Sequence, residues 1–326
     1  MLRNCNISLW DAVLQKVSFC PVAYLQSMID YQLSYQRSFE GSWHDISCII
    51  LSGGKPVAVW PLAIAEVNNQ ASLSSQGRPI LPPLFVENCP PKTRKNVVSQ
   101  CFKVMNTFIS EFGMNNWRSV AQICPDGQAH EWHLKAMEHG SRCSVRHELY
   151  VDLSLTLPDI KARFRKSYRA LVTSGSRNWE VDVLRAPGDC GVWEEFRRLH
   201  KRVSGGSTRS LESWELQFAA LSAGQGFLVL LRDSSSEMVG AGYFACSRDE
   251  GLYASAAYDR ALFDKPLGHV VQYRAIQELK SMGCRWYAIG ARHYPSDDPT
   301  PTDKEISISY FKQGFATHAF PFFVLA

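Results

Sequence analysis

Charge of one sign is scarce in this sequence. Lys+Arg number 35 against Asp+Glu 31, a formal net charge of +4 over 326 residues. A surface that wraps wholly around nucleic acid needs a much larger positive excess, so that class is excluded, although a local basic patch stays open. Long apolar runs are missing as well. The densest, at 57–65, 227–231 and 320–326, fall well short of the ~20 residues that span a bilayer. The opening stretch carries Asp11 and Lys16 where a secretion signal needs its apolar core, and no small-residue cleavage site follows. These absences predict a soluble, cytoplasmic chain.

Cysteine is plentiful, but ligand-like spacing is not. The 10 cysteines (Cys5, Cys20, Cys48, Cys89, Cys101, Cys124, Cys143, Cys190, Cys246 and Cys284) contain no C-x-x-C pair. Zinc needs closely spaced ligand pairs, and the nine histidines supply no H-E-x-x-H or H-x-x-x-H with acidic support. The sequence therefore predicts no metal, and buried free thiols kept reduced.

What is present is an ordinary globular composition, 45% hydrophobic and 20% charged, which excludes disordered, collagenous and coiled-coil classes. The length gives a prior of two domains of about 150 residues each, long enough for separate cores. A helical stretch over about Asp11–Phe39 is followed by strands at 47–51 and 56–65 around the turn SGGK, which reads as a hairpin. A third strand fits 71–76, and the Pro-rich loop RPILPPLFVENCPP follows. Helix 92–112 repeats its apolar residues at helical spacing and stops at Gly113. Trp117–Ile123 reads as a strand, Gln128–His139 as a helix and Cys143–Leu153 as a strand.

The second half repeats this order. Strands 226–232 and 238–246 flank the polar turn DSSSE, and 252–258 makes a third. Gly268 opens a helix stopped by Gly283, then come strand 284–289, helix 303–313 and strand 317–325. Between the halves, Pro158–Ser174 and Asp189–Val203 are helical by pattern, with a strand at 179–184. The chain is expected to divide near Ser154–Pro158 into domains 1–155 and 156–326. Each half reads hairpin, strand, helix, strand, helix, strand: an α/β class with mixed α+β sheets, duplicated in architecture rather than in sequence.

That order is the order of the GNAT acyltransferase fold, and three stretches resemble the Fem-type acyltransferases, the tandem-GNAT group with the peptidoglycan-bridge aminoacyltransferases. They are KSYRALVTSGSRNWEV (166–181), PLGHVVQYRAIQELKSMGCRWYAIG (266–290) and DKEISISYFKQGFATH (303–318). The last is similar to the family's terminal F-K-x-x-F-G segment, through Phe311, Lys312 and Phe315, with Ala316 in place of the glycine. The first half resembles the family's other GNAT-like unit more weakly. The resemblance implies transfer of an acyl group to an amine. The donor would be an acyl thioester such as acyl-CoA or an aminoacyl-tRNA, and the acceptor a sugar, sugar nucleotide or glycan precursor. Segments like LHKRVSGGSTRS resemble enzymes that modify surface sugars.

Candidate site residues follow. Pro266-Leu267-Gly268-His269 opens a helix, where free N–H groups and the positive dipole end suit an anion. In GNAT enzymes this junction holds the cofactor's pyrophosphate, which makes Gly268 and Gln272 the cofactor candidates. Of the fingerprint Q/R-x-x-G-x-G/A only Gly268 survives. His269 is a candidate donor or proton acceptor, against the alternative of a surface cap. Lys161, Arg163, Arg165, Lys166, Arg169 and Arg177 lie in a stretch without Asp or Glu, suited to phosphate or tRNA backbone, with Tyr168 and Arg169 favoured. The alternative is a solvated helix face.

HKRVSGGSTR (200–209) offers His200, two adjacent glycines and Arg209, whose planar fork suits a carboxylate or phosphate, with Trp214 beyond. A flexible connector would look the same. Arg292 and His293 follow a strand end, where open α/β sheets hold ligands. Lys312 is the foremost candidate, as an anion contact or oxyanion stabiliser, two turns along the same face as Glu305. Glu305, Asp259 and His269 are the candidate proton acceptors, and Glu305 equally suits a helix cap. No Ser-His-Asp or Cys-His signature appears, so direct attack without an acyl-enzyme is expected. The competing readings are a tRNA-dependent aminoacyltransferase and a tandem-GNAT module that binds without catalysis.

Overall fold

In the computed structural model, residues 1–39, 41–113, 118–122, 131–139 and 142–325 are described. Trp117, Ile123, Cys124 and Gln128, which figure in the sequence reading, lie outside the described residues. The chain separates into two compact units, Met1–Arg146 with Phe320–Ala326, and His147–Ala319.

The first unit opens with α1 (Ile7–Leu14), which buries Trp10, Val13 and Leu14 at helical spacing, and α2 (Gln26–Arg37). One continuous helix over 11–39 does not form. Pro21 cannot donate a backbone hydrogen bond, and the chain turns there before α2 begins. The buried Trp10 indole donates to the Tyr24 carbonyl at 2.9 Å, which fixes that turn. Next come β1 (Ser42–Asp45), β2 (Cys48–Ser52) and β3 (Lys55–Trp60). Gly53 and Gly54, both at positive φ, turn β2 into β3. The strand expected over 56–65 is broken by Pro61. Its second part becomes β4 (Ala63–Val67), which pairs with β1 and β5 (Gln70–Ser74) in a different sheet from β2, β3 and β6 (Leu84–Phe85).

Helix α3 (Pro91–Phe112) starts on a proline and ends at left-handed Gly113, and it lays Val98, Cys101, Phe102 and Met105 into the core. β7 (Ser119–Gln122), α4 (Glu131–Glu138) and β8 (Cys143–Asp152) follow. Buried Arg3 donates to Asp45 at 2.7 Å and to Asp30 at 2.6 Å, so its charge is compensated.

The second unit carries α5 (Leu157–Arg163), α6 (Lys166–Asn178), β9 (Glu180–Leu184), α7 (Cys190–Ser204), α8 (Leu211–Ser222), β10 (Gly226–Arg232), β11 (Met238–Cys246) and β12 (Glu250–Tyr258). Then come α9 (Leu267–Ser281), β13 (Trp286–Arg292), α10 (Asp303–Gln313) and β14 (His318–Leu325), whose last residues belong to the first unit. The helix expected over 158–174 is two helices. Phe164 is extended between them and buries its ring against Phe315, a placement that a continuous helix would deny it.

The strands run in the order β8-β13-β12-β11-β10-β9, antiparallel except for β12 against β13. Helix α9 lies close on one face, because Gly242 and Gly251 leave room for Val271 and Leu279. Tyr243, the neighbour of Phe244, points the opposite way and meets Trp193 of α7, so α7 and α8 cover the other face.

The expectation that the thiols are buried holds only in part. Cys20, Cys89, Cys101, Cys246 and Cys284 are buried and Cys48 is half-buried, but Cys5 in the turn 3–5, Cys143 at the start of β8 and Cys190 at the start of α7 are exposed. All nine described cysteines are free.

Candidate active site

The sheet of the second unit splits at its only parallel pair among the described strands. β12 and β13 pair over Glu250–Trp286, Gly251–Tyr287 and Leu252–Ala288, and then both strands run on without pairing, to Tyr258 and Arg292. Backbone N–H and C=O groups along the inner edges of this wedge are therefore free for a ligand. Two irregularities shape it. β13 slips register against β8 between Ala288 and Gly290, and Gly290 sits at φ 121, a conformation that favours glycine. On β12 one extra residue, Ala254, is inserted opposite Tyr243–Phe244, so Tyr253 and Ser255 face opposite sides of the sheet.

Lys312 spans this wedge. Helix α10 holds it so that its Nζ lies 5.4 Å from the centre of the Tyr253 ring, and a Cβ on Gly290 would lie 2.8 Å from that nitrogen. Any larger residue at 290 would displace the ammonium. Burial presses the Lys312 pKa below the usual lysine value, while Glu148 on β8 pulls it back up. Beside it, the Tyr253 hydroxyl meets that of Tyr258 at 3.1 Å, and the Tyr287 hydroxyl donates to Gln272 Oε1 at 2.6 Å. Burial raises the pKa of all three tyrosines, so they stay protonated donors. Gln272 is fully buried, and its Nε2 has no partner among the described residues.

His269 stands one helical turn before Gln272. Its ring packs edge-on against Tyr168 (centroids 4.4 Å apart) and Phe311 (5.2 Å), and Phe315 lies at 5.7 Å. Burial, assisted by Arg165, pushes its pKa down to about 4, so the imidazole is neutral at pH 7. Its Nε2 is buried and has no partner among the described residues. Tyr168 is held in turn by Arg165, which donates to its hydroxyl at 3.0 Å and to the Tyr310 carbonyl at 2.9 Å, with the guanidinium 3.9 Å from the Tyr310 ring centre.

Gly268 does not stand open in front of its helix. A Cβ there would lie 3.0 Å from Phe311 and 3.6 Å from Tyr258. The close approach that this glycine permits is taken by the Phe311 ring, and Pro266 caps the helix without a side-chain hydrogen bond. The space left by the missing Gly268 side chain is thus packed rather than open.

The remaining sequence candidates fall elsewhere. Arg169 donates to the carbonyls of Phe164 and Ala162 and closes the C-terminus of α5. Arg292 donates to Gln313 Oε1 at 2.8 Å and to Ser309 Oγ at 3.0 Å, which fastens α10 to β13. His293 Nδ1 lies 3.8 Å from Asp297. Asp259 caps the turn 260–262 by accepting from the Ala261 N–H. Exposed Glu305 forms a capping box with Thr302, whose backbone N–H holds its carboxyl below the usual range. Glu305 and Lys312 share a helix face by spacing, yet one is tied to the helix start and the other reaches into the sheet.

His200, Arg209 and Trp214 do come together, on the face of the sheet covered by α7 and α8. The His200 ring lies 5.1 Å from Trp214, and the Arg209 guanidinium lies 4.5 Å from the same ring. Burial, assisted by Arg209, pushes the His200 pKa down to about 4. The sequence reading missed Glu148, Tyr253, Tyr258 and Tyr287. Strand alternation alone cannot single them out, because the bulge at Ala254 resets which β12 side chains face α9.

Residues 159–297 match the model of the acetyltransferase (GNAT) domain family. No curated protein matches at a significant level. Among solved structures, FemX superposes with a TM-score of 0.71 at 11% identity, over 97% of this chain and 95% of its own. L-PGS from Bacillus licheniformis gives 0.59 at 14%, over 98% and 90%. A tandem GNAT protein from the clavulanic acid biosynthesis pathway gives 0.50 at 12%, over 99% and 96%. At these identities the likeness is one of fold. No helix among the described residues is long and apolar enough to cross a membrane, and no group of three His, Cys, Asp or Glu among them could hold a metal ion.

Proposed function

We propose that this chain, an acyltransferase with a GNAT domain at 159–297 and the Fem-type tandem-GNAT fold, acylates an amine on a bacterial cell-surface sugar or glycan precursor. The observation that carries this reading is the wedge between β12 and β13, where a buried ammonium and tyrosine hydroxyls lie beside unpaired strand edges, and where the first turn of α9, which bears the neutral His269, approaches Tyr258 through Gly268.

Direct attack suits these groups. The amine nitrogen adds to the donor carbonyl, and the C–N bond forms as negative charge moves to oxygen. The Lys312 ammonium and strand N–H groups stabilise that oxyanion in a site with little water. The attacking nitrogen then sheds a proton. Neutral His269 Nε2 is an acceptor for it, although with a pKa of about 4 it is a weak base and serves chiefly to orient the amine. The bond to the leaving group breaks, and that group takes up a proton. Asp259 and Glu305 cap a turn and a helix start, which leaves neither as the proton acceptor in this reading. Arg169, Arg292 and His293 would act on substrate through the helices and turns they hold, and Tyr168 through His269.

The donor is an acyl thioester or an aminoacyl ester. The test is an acyl-transfer assay on glucosamine-type acceptors, with acetyl-CoA and charged tRNA supplied in parallel. Lys312→Met is expected to lower kcat by about 100-fold or more, as loss of an oxyanion donor does. Unchanged transfer in Lys312→Ala and His269→Ala alike would refute this site and leave a binding module. Failure to bind tRNA at low ionic strength would remove that donor.

A further inference from the structure

We propose that the outer face of α5 and α6 docks the protein on an anionic lipid bilayer. The stretch from Lys161 to Trp179 holds six basic residues and no acidic one. The chain's other basic residues (35 less these six) number 29 against 31 acidic ones, so the remainder nets −2 and this stretch carries the whole positive excess. A negatively charged surface therefore attracts the molecule by this face rather than by its overall charge.

None of the six pairs with a carboxylate among the described residues. Lys161 gives its ammonium to Thr173 Oγ1 at 2.9 Å and lies 5.5 Å from the Tyr273 ring centre. Arg169 donates to the carbonyls of Phe164 and Ala162, and Arg165 to the Tyr168 hydroxyl and the Tyr310 carbonyl. Arg163, Lys166 and Arg177 are exposed. Thr173 lies one turn beyond Arg169 and one turn before Arg177, and the Lys161 ammonium sits on it. Lys166, Arg169, Lys161 and Arg177 thus follow one another three or four positions apart along one stripe of α6. At about 1.5 Å per residue the row is ~16 Å long.

What lies between these cations selects the partner. Ala162, Ser167, Ala170 and Ser174 are exposed there, whereas the aromatic rings of Phe164 and Tyr168 are buried, so no base finds a stacking platform. Exposed Tyr310, beside the face, already carries the Arg165 guanidinium 3.9 Å from its ring centre. Lys161 and Arg169 spend donors on neighbouring oxygens and contribute charge, not a fork aimed at one phosphate. A straight row of point charges among small side chains matches the diffuse potential of lipid headgroups. The inner side of α6 sets Tyr168 against His269, so a docked bilayer lies about one helix width, ~10 Å, from the candidate site. Docking goes beyond the acyltransfer reading and does not depend on it.

The full chain is sedimented with vesicles of phosphatidylcholine alone and of phosphatidylcholine mixed equally with phosphatidylglycerol, and is titrated in parallel with a duplex RNA. Saturable binding to the mixed vesicles is expected, weakening as salt rises, with none to phosphatidylcholine alone. Arg163→Gln, Lys166→Gln and Arg177→Gln together are expected to lower the partition coefficient by about 100-fold, with Tm close to wild type. Arg198→Gln, Lys201→Gln and Arg202→Gln on α7 remove the same charge from the other face of the sheet, and are expected to lower it by less than about threefold. Absent binding to mixed vesicles, equal binding to both vesicle types, indifference to salt, or equal losses in the two triple variants overturns the proposal. Tighter binding of the RNA than of mixed vesicles at equal phosphate, lost in the first triple variant, assigns the face to nucleic acid and overturns it as well.

Discussion

At the scale of single residues, two histidines make the protein sensitive to acid. His200 and His269 are both held to about 4 against an ordinary 6.5, chiefly by burial. Between those values the unfolded chain takes up protons that the folded chain refuses, so stability is lost as pH falls from 6.5 towards 4 and is unaffected above. Discounted for partial exposure, the loss is on the order of 1–2 kcal/mol for each. Thermal unfolding followed across that range should show Tm falling, and His200→Gln with His269→Gln should flatten the slope. Close contact governs a second residue. A Cβ on Gly314 would collide with the Tyr168 ring, which is itself wedged against His269 and Phe315. Gly314→Ala is expected to cost about 1–3 kcal/mol, as overpacking does, whereas Gly206→Ala, with nothing near it, should be close to neutral in the same denaturant titration. The sequence marks Gly314 only as the residue after a helix. Its reason is a ring supplied from 146 residues away by α6 (314 − 168), which no local pattern contains.

At the scale of elements, α10 matters because it aims Lys312, and two arginines fasten it. Arg292 holds it from β13, and Arg165 holds it from the start of α6, through Tyr310 and through its own N–H to the Gly314 carbonyl at 2.8 Å. Arg165→Met removes two side-chain hydrogen bonds and a cation stacked on Tyr310, a loss of about 1–3 kcal/mol. Faster amide exchange confined to α10 is expected. The His269 pKa should rise at the same time, because a neighbouring positive charge is gone, and an NMR titration reads this directly. The sequence reading grouped Arg165 with a basic patch and named Arg169 and Arg292 as ligand contacts. All three make hydrogen bonds to helix ends or neighbouring side chains. An arginine that staples helices and one that grips phosphate have the same composition signal, since both need a long cation near exposed carbonyls or anions.

At the scale of the whole molecule, the last residues belong to the first unit although the strand they continue begins in the second. Phe322–Leu325 pairs antiparallel with β7, and Leu325 is fully buried in the core with Phe102, Met105 and Trp132. Deleting residues 320–326 should therefore destabilise the first unit. Limited proteolysis is expected to cut within 1–146 first, while the second unit, whose own core lacks these residues, keeps its melting transition. The sequence by itself determined the succession of strands and helices from residue 226 onward and the helix stops at Gly113 and Gly283, because turn chemistry and apolar periodicity are local properties, whereas helix α8 and the break between α5 and α6 escaped it. Only the tertiary structure decided where β12 leaves β13, which way the residues after Ala254 face, that Phe311 packs against Gly268, and that Lys312 reaches Tyr253 and Gly290 while His200, Arg209 and Trp214 gather on the opposite face. Those outcomes depend on register, a single inserted residue and side chains far apart in the chain, and packing them without overlap is a property of the folded whole.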